Sequence, residues 1–158
     1  MDSVPEKDQD TQNFARAEML IRKPVKEVFE AIIDPAVTTK FWFTKSSGRL
    51  DENKSVDWVW EMYNHSVPVF VKSIQPPKKI IMDWGNGGDL TTVEWTFKNI
   101  NDNETFVSIV QNGFKGTPDT LISQVRDSTE GFTIVLAGMK AWLEHGLRLN
   151  LVADRFPR

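Results

Sequence analysis

The sequence predicts an α+β domain in which a curved antiparallel sheet is covered on one face by a long C-terminal helix. Three successive regions of different periodicity predict this class. Apolar residues recur with helical spacing over residues 23–34, mostly with a period of two from about residue 44 to about residue 113, and with helical spacing again over residues 131–146. Because the separators in the middle region are short and turn-like, neighbouring strands should pair as antiparallel hairpins.

The first predicted elements are a half-buried strand and two short helices. In "FARAEMLIR" the residues alternate between an apolar side and a charged side, which indicates a strand. In "KPVKEVFEAIID" the apolar residues have the i, i+3, i+4, i+7, i+8 spacing of one helix face. Asp34 should end this helix and cap a second, shorter one that begins at Pro35.

Five further stretches indicate strands, which gives a sheet of about six to seven strands. In "SVDWVWEM" the alternation puts Trp58, Trp60 and Met62 on one face, and in "TVEWTFK" it puts Trp95 and Phe97 inward. The stretches "VPVFVKSI", "KIIMDW" and "TFVSIVQNGF" complete the set. One face of the sheet is therefore predicted to be rich in large rings.

The stretch "GFTIVLAGMKAWLEHG" indicates the long final helix, which follows "KGTPDT". Glu144 and Arg148 are placed to pair at i, i+4 on its polar side. Because only this helix is long enough to cover the sheet, the sheet should curve around it. Large rings on a concave sheet do not tile as tightly as Leu and Val, so we expect space between sheet and helix; a filled core remains the alternative. The predicted apolar stripe comprises Phe132, Val135, Leu136, Met139, Leu143 and Leu147, with Trp142 at its edge.

Length and composition indicate one soluble domain. We expect residues 1–13 to form a flexible N-terminal tail and residues 14–158 to form a single domain. The net charge of −3 offers no basic surplus for nucleic acid, and no cysteine is present, which fits a reducing compartment. The N-terminus lacks the pattern of a signal peptide, and no apolar run approaches the roughly 20 residues that span a bilayer. A cytoplasmic location without a membrane span is expected.

Polar residues suggest no catalytic or metal site. His65 lies in the turn "YNHS" and His145 on the polar side of the last helix, so both are expected in solvent. Asp57, Glu61 and Glu94 have the outward parity of their strands. The glycine-rich "GNGGD" precedes a strand rather than a helix, which is typical of a turn and not of a phosphate loop. We therefore predict no catalytic residue, no metal and no cofactor.

The aromatic residues are the best candidates for a binding site. The segment 41–43 should lie over the open end of the space between sheet and helix, and the inward rings of the sheet and helix should line it. Ring faces and methionine suit flat or greasy ligands. The predicted ligand-binding set is Phe41, Trp42, Phe43, Trp58, Trp60, Met62, Trp84, Trp95, Phe97, Phe132, Met139 and Trp142. For each of them, core packing is the alternative.

The order of elements and several stretches resemble the activator-of-Hsp-90-ATPase homologue family, within the START-like (SRPBCC) and birch-pollen-allergen-like superfamily. The stretches are "IRKPVKEVFEAIIDP", "FWF", "IQPPKKIIMDW", "TFVSIVQNGF" and "GFTIVLAGMKAWLEHG". The resemblance covers nearly all of the chain from residue 14 onward and implies a helix-grip fold with a cavity between sheet and helix. Superfamily members bind lipids, sterols, polyketides or plant hormones there, and a few are cyclases, aromatases or hydrolases.

Three functions follow from this resemblance and from the aromatic set. The preferred one is non-catalytic binding of a hydrophobic or aromatic small molecule, with Trp indole N–H groups as candidate polar anchors. A cyclase, aromatase or hydrolase using the same cavity, and a protein-interaction module like the chaperone-ATPase activator, are the alternatives. The co-chaperone that names the family engages the chaperone through an additional N-terminal domain; we expect no such domain here and therefore no chaperone partner. The sequence is compatible with a homo-oligomer as well as with a monomer.

Overall fold

The strands and helices follow one another in the order that the sequence periods predict. In a computed structural model, which describes residues 13–85 and 87–157, strand β1 precedes two short helices, and six more strands precede the long helix α3. Residues 1–12 of the predicted tail, and Asn86 in the predicted turn "GNGGD", lie outside the described residues. The elements are β1 Ala15–Ile21, α1 Val25–Ile33, α2 Pro35–Thr38, β2 Lys45–Ser46, β3 Ser55–Trp60, β4 His65–Gln75, β5 Lys79–Trp84, β6 Thr91–Asn101, β7 Glu104–Asn112 and α3 Pro118–His145.

The seven described strands form one antiparallel sheet. Their order is β1-β7-β6-β5-β4-β3-β2, and every neighbouring pair is antiparallel. Strands β1 and β2 are therefore the two edges, and the helices between them carry the chain from one edge to the other. This arrangement confirms the predicted curved sheet with a long C-terminal helix and two short helices after the first strand.

The inner face of the sheet is apolar, as the alternation predicts. Trp58, Trp95 and Phe97 are 0%, 0% and 3% exposed, respectively. The outer face is polar: Asp83 accepts a hydrogen bond from the Thr92 hydroxyl at 2.9 Å. Other inward residues are Ala15, Ala17, Ile21, Val56, Trp60, Val67, Val69, Val71, Ile80, Met82, Val93, Val107 and Ile109.

The second short helix, α2, is capped as the sequence predicts. The Asp34 carboxylate accepts the Ala36 N–H at 2.9 Å, and Pro35 begins α2. The buried Thr38 hydroxyl donates to the Ala31 carbonyl at 2.6 Å, which ties α2 to α1. This short turn delivers residues 41–43 to the interior.

Helix α3 begins at Pro118, with Thr117 as its N-cap, and covers the inner face of the sheet through buried Phe132, Leu136 and Met139. Gly138 lets the chain at Phe41 approach this helix, because a Cβ atom there would lie 3.2 Å from the Phe41 Cβ.

The end of α3 corrects two predictions. Gly146 has φ +63°, a left-handed conformation that ends the helix at His145. Leu147 is therefore not part of the apolar stripe, and its side chain is 54% exposed. Arg148 does not pair with Glu144 at i, i+4, because it lies beyond the last helical turn.

Glu144 instead joins α3 to the β1 edge. Its side chain is only 9% exposed, and its Oε2 accepts the Arg22 N–H at 2.8 Å and the Lys140 ammonium at 2.7 Å. Burial alone would raise the pKa of Glu144, but the hydrogen bond from Arg22 and the ammonium of Lys140 outweigh it and lower that pKa. Lys140 also donates to the Leu20 carbonyl at 2.8 Å.

Strand β3 ends earlier than the alternation suggests. The strand stops at Trp60, and residues Glu61–Tyr63 form a single 3-10 turn closed by Asn64 in a left-handed conformation with φ 47°. Met62 therefore lies within the turn, is half-buried and does not extend the inward row of Trp58 and Trp60. Across the described ranges, no helix combines the length and the apolar character needed to cross a membrane.

Candidate ligand-binding cavity

A cavity of about 340 Å³ lies between the sheet and α3 and is partly open to solvent. We call it the main cavity. Binding sites for small molecules commonly have volumes of about 300–1,000 Å³, so the main cavity is at the small end of that range. It is lined by Trp42, Trp60, Tyr63, His65, Trp84, Gln111, Asp127, Ser128, Gly131, Phe132, Ile134, Val135, Val152, Arg155 and Phe156.

Four rings form one wall of the main cavity, and we call them the aromatic wall: Trp42, Trp60, Trp84 and Phe132. Trp42 and Trp84 each contact the other three rings. The rings of Trp42 and Trp84 are stacked, with centroids 5.7 Å apart and planes 19° apart. Phe132 meets both edge-on, at 6.1 Å and 6.2 Å. Trp60 lies 5.8 Å from Trp84 at 56°. Stacked and edge-on contacts are the arrangements that aromatic rings prefer, so the wall is a rigid surface for a planar ligand.

The chain after α3 returns along the helix and borders the mouth of the main cavity. We call residues 147–157 the C-terminal segment. Its Arg155 side chain is 17% exposed and forms an ion pair of 2.8 Å with Asp127, near the middle of α3. Arg155 Nε is also 3.5 Å from Glu130 Oε1 but makes no hydrogen bond within the described chain, so that contact is electrostatic only. The guanidinium stacks over Phe156 at 5.0 Å from the ring centroid.

Tyr63 fastens the C-terminal segment from the other side of the mouth. Its hydroxyl lies 2.5 Å from the Val152 carbonyl and 3.2 Å from the Ala153 carbonyl. Its ring meets Phe156 edge-on at 6.1 Å. The mouth is therefore bordered by contacts that tie strand-side residues to the C-terminal segment.

The floor carries a polar side chain. Gln111 is 5% exposed, and its Nε2 donates to the Thr91 hydroxyl oxygen at 2.8 Å. His65 lies at the rim, exposed as the sequence predicts, with its ring 6.0 Å from that of Trp60.

The twelve predicted site residues fall into three groups. The four of the aromatic wall line the main cavity, whereas Phe41 and Met62 line a smaller space of about 40 Å³, which Trp42 also borders. The remaining six do not line either space. Of these, five are buried in the core and Trp142 is half-buried, with Lys40 Nζ 5.6 Å from its ring centroid. The other five are Phe43, Trp58, Trp95, Phe97 and Met139.

The sequence interpretation missed part of the cavity lining. Gln111 could have been identified from the sequence, because it is a polar residue that continues the inward parity of Thr105, Val107 and Ile109. Arg155 and Phe156 had none, because their position depends on the chain reversing at Gly146. The indole N–H groups of Trp58 and Trp95 are sealed in the core without a partner in the described chain, so they do not border the cavity.

Within the described residues, no group of three or more His, Asp or Glu side chains is arranged to hold a metal ion. The titratable side chains that line the main cavity are Tyr63, His65, Asp127 and Arg155. Asp127 is occupied by its ion pair with Arg155 and is 71% exposed. Glu144, whose pKa is lowered, is not part of the cavity lining.

A curved antiparallel sheet, a long C-terminal helix on its inner face and a cavity between them define a helix-grip protein of the START-like class. The chain belongs to the family described as "Activator of Hsp90 ATPase homolog 1-like protein", whose model matches residues 22–144. A comparison with curated protein sequences gives no match.

Solved structures share this fold at low sequence identity. A Staphylococcus saprophyticus protein is 24% identical with a TM-score of 0.74, covering 86% of this chain and 95% of its own. DynU16, from the dynemicin biosynthetic locus, is 20% identical with a TM-score of 0.76, and the match covers 86% of this chain and 49% of DynU16. The Aha1 of Colwellia psychrerythraea, solved as a dimer, is 16% identical with a TM-score of 0.70, covering 84% of this chain and 97% of its own. At these identities the likeness establishes the fold alone.

Proposed function

We propose that this protein binds a planar hydrophobic or aromatic small molecule in the main cavity without transforming it. The observation that carries the proposal is a partly open space of about 340 Å³ in which four aromatic rings form one wall. A planar ligand would lie against the exposed face of Trp84, which is half-buried, with Trp42, Trp60 and Phe132 beside it. Removing such apolar surface from water favours binding by roughly 25 cal/mol per Å² before the entropy of association is subtracted.

The polar residues support binding rather than catalysis. A general acid or base must reach the ligand in a defined protonation state, usually held by a partner within the site. The carboxylate at the cavity, Asp127, is engaged by Arg155 and exposed at the mouth. His65 is exposed at the rim and lies beside an indole ring. Neither side chain is buried, whereas burial is the environment that we would expect of a catalytic acid or base.

A protein-interaction role is the alternative function if no ligand binds in the main cavity. The C-terminal segment has three exposed large apolar side chains: Leu147, Leu149 and Phe156 are 54%, 48% and 51% exposed. The relative from Colwellia was solved as a dimer. Size-exclusion chromatography with light scattering would give the oligomeric state of this protein directly.

The first experiment is native mass spectrometry and organic extraction of the protein purified from its own cells. We expect a bound small molecule, and a rise in Tm with members of a panel of fatty acids, sterols and aromatic compounds. Repeated recovery of unliganded protein together with no thermal shift from any panel member would contradict the proposal.

A cavity-filling variant provides the structural control. Val135 is 3% exposed and lines the main cavity from α3, so Val135→Phe should occupy the space and abolish the thermal shift. Thr133→Phe adds a ring to the same helix at an exposed position and should keep it. Equal shifts in both variants would show that the ligand binds elsewhere.

A further inference from the structure

Gln111 is a buried amide in a cavity whose wall is aromatic. It lies near the end of β7, with Val93 as its neighbour on β6 and Ala15 on β1, and it is 5% exposed. An amide at such a position costs free energy unless its polar atoms are hydrogen-bonded. The amide nitrogen and the amide oxygen of Gln111 therefore each need a hydrogen-bond partner.

The amino end of Gln111 is paired within the sheet. Nε2 donates to Thr91 Oγ1 at 2.8 Å, and the Thr91 hydroxyl donates in turn to the Trp84 carbonyl at 3.4 Å, at the long end of hydrogen-bond distance. Because the single hydroxyl proton is directed at that carbonyl, the Thr91 oxygen accepts the hydrogen bond from Gln111 Nε2 rather than donating one. This chain of two hydrogen bonds orients the amide with its nitrogen toward Thr91 and its oxygen away from it.

The carbonyl end of Gln111 is open to the main cavity. Oε1 accepts no hydrogen bond from the described residues. Among the described residues, the side-chain nitrogen and oxygen atoms that are fully buried and have no hydrogen-bond partner are Trp58 Nε1, Trp95 Nε1 and Arg155 Nε. Gln111 Oε1 is not one of them, and its side chain lines the cavity, so this acceptor faces the space that a ligand would fill.

We propose that Gln111 Oε1 accepts a hydrogen bond from the ligand, which is therefore a planar aromatic molecule carrying an O–H or N–H donor. The inference rests on the proposed function and narrows the class of ligand. The aromatic wall holds the rings by their faces, and Gln111 selects for a donor at the buried edge. A ring system without a donor would strip water from Oε1 and leave it unpaired, and sites with this design discriminate strongly against such analogues.

Three compounds with one ring system test the inference: 2-naphthol, 2-methoxynaphthalene and naphthalene. The first donates a hydrogen bond, the second only accepts one, and the third does neither. Titration of the full chain, followed by tryptophan fluorescence, should show 2-naphthol binding about 10-fold more tightly than the other two, since an unpaired buried acceptor corresponds to a loss of this order.

Two variants place the preference at Gln111. In Gln111→Met, which keeps the length of the side chain without the acceptor, the preference for 2-naphthol should disappear, because 2-naphthol loses its acceptor and naphthalene no longer leaves one unpaired. The control is Asn112→Ala, because Asn112 is the next residue on β7 and is exposed on the opposite parity. This variant should keep the full preference.

The outcomes separate the inference from the proposed function. Equal affinities for the three compounds, or a preference that survives Gln111→Met, would overturn the inference and leave cavity binding intact. Tighter binding of 2-methoxynaphthalene than of naphthalene would show that the amide presents its donor end instead and would also overturn it. Failure of all three to bind up to their solubility would overturn both. The wild-type series is decisive by itself if the Met variant does not fold.

Discussion

Replacing Trp84 and Trp95 by alanine, one at a time, should separate ligand binding from folding stability. Both indoles project from the inner face of neighbouring strands. Trp84 is half-buried and lines the main cavity, whereas Trp95 is 0% exposed, lies outside the cavity lining and is stacked on Phe97 with planes 13° apart. The two substitutions remove the same side chain from positions that differ in access to a ligand.

The main effect expected is a lower Tm for Trp95→Ala and a lower ligand affinity for Trp84→Ala. Truncation of a fully buried Trp typically costs about 3–5 kcal/mol, and for a chain of this size each kcal/mol lowers Tm by about 2–4 °C. Trp95→Ala should therefore lower Tm by roughly 6–20 °C. Trp84→Ala should lower it less, because part of that ring is already in water. Loss of a stacked ring costs about 0.5–1.5 kcal/mol beyond buried area, so ligand affinity should fall about 2- to 12-fold or more.

Calorimetric unfolding gives the stability of each variant, and titration with 2-naphthol at a temperature where both are folded gives the affinity. We expect Trp84→Ala to bind weakly and to unfold at a temperature between those of Trp95→Ala and the wild type. We expect Trp95→Ala to unfold early and bind with near wild-type affinity while folded. Wild-type binding by Trp84→Ala, with loss of binding in folded Trp95→Ala, would refute the assignment of the cavity wall.

Three further predictions concern the contacts that position the helix and the C-terminal segment. The lowered pKa of Glu144 means that its contribution to stability is present above its ordinary pKa near 4.5 and is lost as the pH falls through the folded-state value. Glu144→Gln should therefore destabilise the protein by about 1–3 kcal/mol at neutral pH, and the Tm difference from wild type should shrink in acid; a pH-independent difference would contradict this. Tyr63→Phe removes the hydroxyl contact with Val152 and should speed proteolysis of the C-terminal segment, with about 1 kcal/mol lost; unchanged cleavage would show that the segment is held by other contacts. Gly146→Ala places a Cβ at φ +63° and should lower Tm by about 2–8 °C, and an unchanged Tm would mean that the helix end can shift.

Most of the fold could be predicted because the burial pattern follows the hydrophobic pattern. The alternation in "TVEWTFK" gave the orientation of Trp95 and Phe97 correctly, since a strand in a sheet covered on one face must bury one parity. Asp34-Pro35 indicated the break between α1 and α2, since capping chemistry depends on neighbouring residues only. These signals are local in sequence.

The cavity could be predicted only in part, because it depends on contacts between distant segments. Alternation identifies Trp60, Trp84 and Trp95 as inward, but it does not tell which rings pack on each other and which face the space. Arg155 reaches Asp127 only because the chain reverses after His145, a reversal that periodicity over Leu143 and Leu147 did not indicate.

The most direct test is a crystal structure of the protein grown with saturating 2-naphthol. The account predicts ligand density in the main cavity, with the ring system against Trp42 and Trp84 and the hydroxyl within hydrogen-bond distance of Gln111 Oε1. An unoccupied cavity at saturation, or a ligand seated only on the outer surface, would contradict it.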